Sequence, residues 1–314
     1  MGISFLQKLQ HRWDMGLRIC VGLDLTQLPL HLQDRPGGRG EGLFEFAAAI
    51  VQKTNDLVCA YKPNLGFYGR GMEGTLRRIV DLIHTIDPTI PVIGDGKRGD
   101  VGSTNEAYAD DLFRYYDFDA VTLNPYLGPP LATAKTPGNF LAEEFKNRGL
   151  IFLARTFNPE AAIIQDRQVW VSAQELTLDL LRGPLPSRIE MVEWKWQPCG
   201  DGGYLIPLYQ FIAMYYARLG VHCGLVAGAT VPEELGIIRR QVGDDTFLLV
   251  PGIGKQGGNL SLSVGLGKNS RNNGFIINSS SAITNASAGE DFADMARART
   301  LELHQQIRAL LEAA

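Results

Sequence analysis

Residues 91–100 read Pro91-Val92-Ile93-Gly94-Asp95-Gly96-Lys97-Arg98-Gly99-Asp100: a short apolar run that passes directly into a cluster of alternating charge. An apolar run of this length, bounded by turn residues, has the pattern of a strand buried on both faces. The same kind of run recurs at residues 18–23, 57–62, 120–123, 150–154, 223–227, 247–250 and 275–278. Between most of them lie helix-length stretches with apolar residues three and four apart, at 43–56, 75–86, 105–116 and 233–242, and residues 300–311 close the chain the same way. Eight strand–helix alternations without a break in composition predict an α/β fold. They favour a single (β/α)8 TIM barrel spanning 1–314 over an open, doubly wound sheet.

One connection is too long for a βα unit, from Arg155 to His222. Within it, Gly183-Pro184-Leu185-Pro186 and Gly200-Asp201-Gly202-Gly203 bracket Trp194 and Trp196, so residues 183–204 are expected to form an inserted surface segment between the fifth and sixth strands. Residues 257–274 are rich in Gly, Ser and Asn and read as a loop after the seventh strand, where barrels commonly hold phosphate.

Composition narrows the function. Of 314 residues, 45 % are hydrophobic and 20 % charged, which is globular. Thirty Lys and Arg against 34 Asp and Glu leave a net charge of −4, so no nucleic-acid or membrane partner is advertised and any anion must be held locally. No stretch reaches the ~18 apolar residues of a membrane helix, and a cytoplasmic protein is expected. Cys20, Cys59, Cys199 and Cys223 are scattered without metal-ligand spacing and read as reduced packing residues; no metal site is expected. The five His are equally dispersed, and His84 reads as an ordinary helix-surface residue.

In a parallel barrel the reacting groups stand where strands end. The first run ends in Asp24, the second in Lys62, and the third in Asp95 and Lys97, with Asp100 in the loop beyond. Asp95 and Lys97 are two apart, so both side chains would point into the barrel mouth. Two like carboxylates ~4 Å apart repel by roughly 4 kcal/mol at an effective dielectric near 20, and interleaved lysines offset this. The alternating array Lys62, Asp95, Lys97, Asp100 suits proton delivery by a fixed lysine, or destabilisation of a substrate carboxylate pressed against an immovable Asp. After the seventh run, Val250-Pro-Gly-Ile-Gly-Lys-Gln-Gly-Gly258 offers backbone N–H groups to an anion, with Lys255 and Gln256 as side-chain donors. It lacks the Ser or Thr of a nucleotide-triphosphatase loop, and no GxGxxG follows the first strand to seat a dinucleotide.

Asp95-Gly-Lys-Arg-Gly-Asp100-Val-Gly-Ser-Thr104, together with Val21-Gly-Leu-Asp24, Tyr61-Lys-Pro-Asn64, Leu123-Asn-Pro-Tyr-Leu-Gly128 and Pro251–Gly258, resembles the orotidine 5′-monophosphate decarboxylase family, in its longer bacterial type 2 form. The resemblance implies a dimeric barrel that converts orotidine 5′-monophosphate to uridine 5′-monophosphate and CO2 without a cofactor. It implies that Lys97 protonates C6, that Asp95 presses on the departing carboxylate, and that Lys62 keeps Asp95 ionised. Asp100 and Thr104 would reach into the neighbouring subunit's site. Asp24 would bind the ribose, Gln256 with the adjacent Gly254 and Gly257 the 5′-phosphate, and Asn124 would also contact substrate.

Two positions depart from the family pattern. Ser281, in Asn278-Ser-Ser-Ser281, stands where the family has a phosphate-gripping Arg, and Phe157, in Arg155-Thr-Phe-Asn-Pro159, stands where it has a base-contacting Ser. Lys255, and less so Arg271, would replace the cation; Thr156 or Asn158 would replace the base contact. The rival readings are a Mg-dependent sugar-phosphate lyase or decarboxylase of the same barrel class, and a catalytically silent nucleotide-binding barrel.

Overall fold

The computed structural model describes residues 2–69, 71–129, 139–181, 185–200 and 202–313. Of the landmarks read from the sequence, Gly183, Pro184 and Asp201 lie outside the described residues. The strands are β1 (Ile19–Gly22), β2 (Ala60–Lys62), β3 (Ile93–Arg98), β4 (Ala120–Leu123), β5 (Gly149–Arg155), β6 (Gln168–Ser172), β7 (Gln197–Cys199), β8 (Gly203–Pro207), β9 (Cys223–Ala227), β10 (Leu248–Pro251) and β11 (Phe275–Ser279). Eight of them form one sheet in the order β2-β1-β11-β10-β9-β5-β4-β3, and its pairs are parallel. Bridges Tyr61↔Val92 and Asn64↔Asp95 bring β2 to β3 and close the ring. The expected barrel is therefore present, with strand ends within a few residues of those read from the sequence.

The barrel strands are largely apolar up to their carboxyl ends because both faces are covered there. Cys20, Ala60, Ile93, Ala120, Ile151, Val226, Leu249 and Ile276 fill the interior. Their neighbours, such as Ile19, Val21, Val121, Leu150 and Ile277, pack outward against the helices. Burial pushes the Cys20 thiol well above its ordinary range and the Cys59 thiol up to about 12, which keeps both as protonated packing groups.

The sequence reading assigned no element before β1, yet helix Phe5–Asp14 lies there. Ser4 and Gln7 form a reciprocal capping box, and Phe5, Leu9 and Trp13, four apart, enter the interior cluster. Phe5 packs on Phe247 with ring centroids 5.4 Å apart, so this helix seals the end of the barrel from which the strands start. A second correction concerns residues 257–274: Asn259 caps a helix, Leu260–Gly267, by accepting from the Leu262 N–H.

The long connection after β5 is also richer than a surface ornament. Strands β6, β8 and β7 form an antiparallel sheet in that order, wider than the expected 183–204 segment. Trp194 and Trp196 are buried rather than exposed, in a small core with Val171, Leu176 and Ile206 that continues into Met214 and Ile237 of the barrel helices. The helix Leu208–Ala217 then resumes the barrel's regular alternation.

Candidate active site

Local structure at the ends of β2, β3 and β4 fixes the charged groups. The Asp95 N–H donates to the Pro63 carbonyl at 2.9 Å, which seats the end of β3 against the residue after Lys62. Lys62 Nζ then reaches Asp95 Oδ2 at 2.7 Å, and Lys97 Nζ reaches Oδ1 at 2.6 Å. Asp95 and Lys97 do converge, but not through a regular pleat. The pairing of β3 with β4 shifts between Gly94 and Arg98, and Lys97 adopts φ 49°, a left-handed conformation that costs a non-glycine residue roughly 1 kcal/mol or more. Thr122 of β4 locks this turn: its hydroxyl donates to Asp95 Oδ1 at 2.8 Å and accepts from the Lys97 N–H at 3.0 Å.

Asp95 and Lys62 are both buried, while the Lys97 side chain is about half exposed at 48 %. Burial alone would raise the Asp95 carboxyl, but Lys62 and Lys97 outweigh it and hold the group well below the usual carboxylate range. Burial alone would lower Lys62, but Asp95 and then Asp24 hold it above the usual lysine value. The charges thus fix one another, and the Lys97 ammonium faces a cavity of ≈ 410 Å³, in the range of small-ligand sites.

That cavity gathers Asp24, Lys62, Asp95, Lys97, Thr156, Asn158, Gln256 and Ser281 from the sequence-derived set. Gly254, Lys255 and Gly257 of the glycine turn are exposed and do not line it. In that turn Gly252, Gly254 and Gly257 all take positive φ, and the Gly258 N–H returns to the Gly252 carbonyl at 3.0 Å, so the loop is held by its own backbone. Arg271 is elsewhere: it shares a separate cavity with Gln10 and Trp13 of the N-terminal helix and cannot replace a phosphate-gripping Arg from there. Asp100 and Thr104 do not line the cavity of their own chain; the Asp100 Oδ1 accepts from the Val101 N–H. Asn124 caps its own turn by accepting from the Tyr126 N–H at 3.0 Å and also lies outside the lining.

Thr122 and Asn278 are among the lining residues that escaped the sequence reading. Thr122 was signalled by a lone hydroxyl in the apolar run Ala120-Val-Thr-Leu123. Asn278 ends the eighth strand run, the same position rule that picked out Asp24 and Lys62. Its Oδ1, like the Asp24 Oδ1, is buried with no hydrogen-bond partner among the described residues, and an orphaned buried acceptor on a residue lining a cavity calls for a donor from a ligand. At β1, a Cβ on Gly22 would lie 1.8 Å from Ser280 Oγ, so glycine there is what lets Ser280 and Ser281 close the cavity wall.

A closed parallel barrel with ionised groups and a polar cavity at the carboxyl end of its strands is the architecture of a barrel enzyme. Comparison with known proteins sharpens this. Residues 17–183 match the model of the orotidine 5'-phosphate decarboxylase / HUMPS family. The chain is 39 % identical over 310 residues to the orotidine 5'-phosphate decarboxylase of Cellvibrio japonicus, covering 97 % of this chain and 98 % of that one. It is 37 % identical over 312 residues to that of Azoarcus sp., covering 98 % and 99 %. A crystal structure assigned as an orotidine-monophosphate decarboxylase of Toxoplasma gondii superposes with a TM-score of 0.73 at 26 % identity, covering 99 % of this chain and 98 % of that one. The chain belongs to the orotidine 5'-phosphate decarboxylase family.

Proposed function

We propose that this chain decarboxylates orotidine 5′-monophosphate to uridine 5′-monophosphate, a step of pyrimidine biosynthesis, with its own side chains as the only catalytic groups. The observation that carries this reading is the Lys62–Asp95–Lys97 chain of contacts, 2.7 Å and 2.6 Å long, at the wall of a nucleotide-sized cavity. A substrate carboxylate placed ~4 Å from the fixed Asp95 charge would meet roughly 4 kcal/mol of repulsion, which is relieved as CO2 leaves. The C6–carboxyl bond breaks with its electron pair remaining on C6, and the half-exposed Lys97 ammonium delivers a proton there. Lys62 keeps Asp95 charged and in place. Such preorganised charge needs no reorientation during the reaction.

Asp24 would take a ribose hydroxyl, as its unpartnered Oδ1 suggests. Gln256 and Ser281, which line the cavity, would hold the phosphate, and Thr156 with Asn158 the base. Asp100 and Thr104, which do not line the cavity of their own chain, would serve a second copy across a homodimer interface, and Asn124 would contact substrate.

The test is to add purified protein to orotidine 5′-monophosphate and follow the loss of its absorbance, with and without a chelator. Activity should survive chelation, and Lys97→Ala should reduce kcat by about 10³-fold or more with the thermal midpoint nearly unchanged. A Lys97→Ala enzyme running at the wild-type rate would refute the reading.

A further inference from the structure

The wall after β5 carries a contact that the reaction scheme above does not use. Thr156 lines the cavity; Gln165, nine residues on, does not, yet nearly all of the polar capacity of Thr156 is directed at it. The Thr156 N–H donates to Gln165 Oε1 at 2.9 Å, and this fixes which way the amide points. Gln165 Nε2 must then face the hydroxyl, and it donates to Thr156 Oγ1 at 3.0 Å. Among the described residues the acceptor within reach of the Thr156 hydroxyl proton is the same Oε1 at 3.4 Å, the long limit of a hydrogen bond, and Oε1 also accepts from the Thr156 N–H at 2.9 Å and from Arg155 Nη1 at 3.4 Å. An acceptor brought into the cavity would win that proton.

The clamp is anchored. Buried Arg155 ion-pairs with Asp166 at 3.0 Å and donates to the Thr156 carbonyl at 3.2 Å, so the segment carrying Gln165 is tied back to the end of β5 through this one side chain. Phe157 fills the next wall position, its Cβ 3.0 Å from where a Cβ on Gly228 would stand, which leaves little room for this loop to shift.

We propose that Gln165 is a positioning residue for substrate recognition: by donating to Thr156 Oγ1 it occupies one acceptor site of the hydroxyl and leaves its proton to be donated into the cavity, directed at a carbonyl oxygen of the pyrimidine. Thr156 thereby supplies the hydrogen bond to the base that the phenyl ring of Phe157 cannot make. The inference rests on the reading of the cavity as a nucleotide decarboxylase site.

Gln165→Glu tests it, because glutamate keeps the shape and the acceptor for the Thr156 N–H but cannot donate to Oγ1; the hydroxyl would turn to the carboxylate instead. With orotidine 5′-monophosphate, Gln165→Glu and Thr156→Val should each raise KM on the order of tenfold, the worth of one hydrogen bond, with a smaller change in kcat. The double variant should be no worse than either single one, because both remove the same donor. Thr156→Ser, which keeps the hydroxyl, should retain the wild-type KM. Thermal midpoints identify any variant that misfolds, and Gln165→Met replaces Gln165→Glu in the cycle in that case. A wild-type KM in the Gln165 variant, or effects that multiply in the double variant, would overturn the role of Gln165. A wild-type chain that leaves orotidine 5′-monophosphate intact would instead overturn the proposed function.

Discussion

The two ends of the barrel each bury an aspartate beside a cavity of ≈ 410 Å³, and only one of the two has the makings of a reaction centre. Asp95, 8 % exposed, stands where the strands end; Asp119, 4 % exposed, stands where β4 begins. Asp119 takes Lys8 Nζ at 2.6 Å, His84 Nε2 at 2.9 Å and the Val92 N–H at 2.9 Å. His84, expected on an ordinary helix surface, is thus a structural partner. Around the second cavity Arg148 pairs with Asp117, so its charges are largely answered from within the chain. At the other end Lys97 is half exposed, and Asp24 Oδ1 and Asn278 Oδ1 have no partner. Cavity size and a depressed carboxyl do not separate the two ends; unanswered polar groups do.

The comparison can be broken from either side. The largest effect is expected for Asp95→Asn, which removes the fixed charge and leaves Lys62 buried without its counter-ion. It should lower kcat about a thousandfold, the equivalent of roughly 4 kcal/mol, and cost about 3 kcal/mol in urea unfolding. If Asp119→Asn cost as much activity, the contrast between the two ends would collapse.

Asp119→Asn should instead cost about 3 kcal/mol of stability at pH 7 with kcat near wild type. Its pH dependence has a definite sign. Burial would raise the Asp119 carboxyl, but His84 and Lys8 hold it below its ordinary value. A carboxyl lower in the folded than in the unfolded chain stabilises above the unfolded value near ~4, and that contribution fades as pH falls through the folded value. Unfolding curves of wild type and Asp119→Asn should therefore converge below about pH 4, and a gap that stayed constant to pH 3 would count against the assignment.

The smallest effect belongs to Asn278→Ala. Removing an orphaned acceptor should raise KM about tenfold while leaving the free protein as stable as before, or about 1 kcal/mol more stable. A loss of stability would mean that Asn278 has an internal partner and is not waiting for a ligand.

The barrel was legible because its strands, apart from the charged end of β3, are buried on both faces, so hydrophobicity alone marks them. The charged residues were legible by position, since Asp24, Lys62 and Asp95 each follow such a run. What escaped depends on contacts distant in sequence. The sealing role of Phe5, Leu9 and Trp13 exists only because a ring of eight strands needs a floor, although the Ser4–Gln7 capping box was there to be read. The antiparallel sheet around Trp194 and Trp196 was hidden because its strands are short and one face is exposed, leaving turn residues as the dominant signal. Lys255 shows the converse: a cation in the right motif can still be exposed and lie outside the cavity lining.

The helix Phe5–Asp14 also sets the traffic of the molecule. With Phe5, Leu9 and Trp13 in one cluster with Phe247 and Leu249, the barrel has a floor, and among the described residues the cavity beside Lys97 lies at the opposite end. A nucleotide arriving, a gas molecule departing and the product that follows must all pass the same threshold, in turn, beside Lys97.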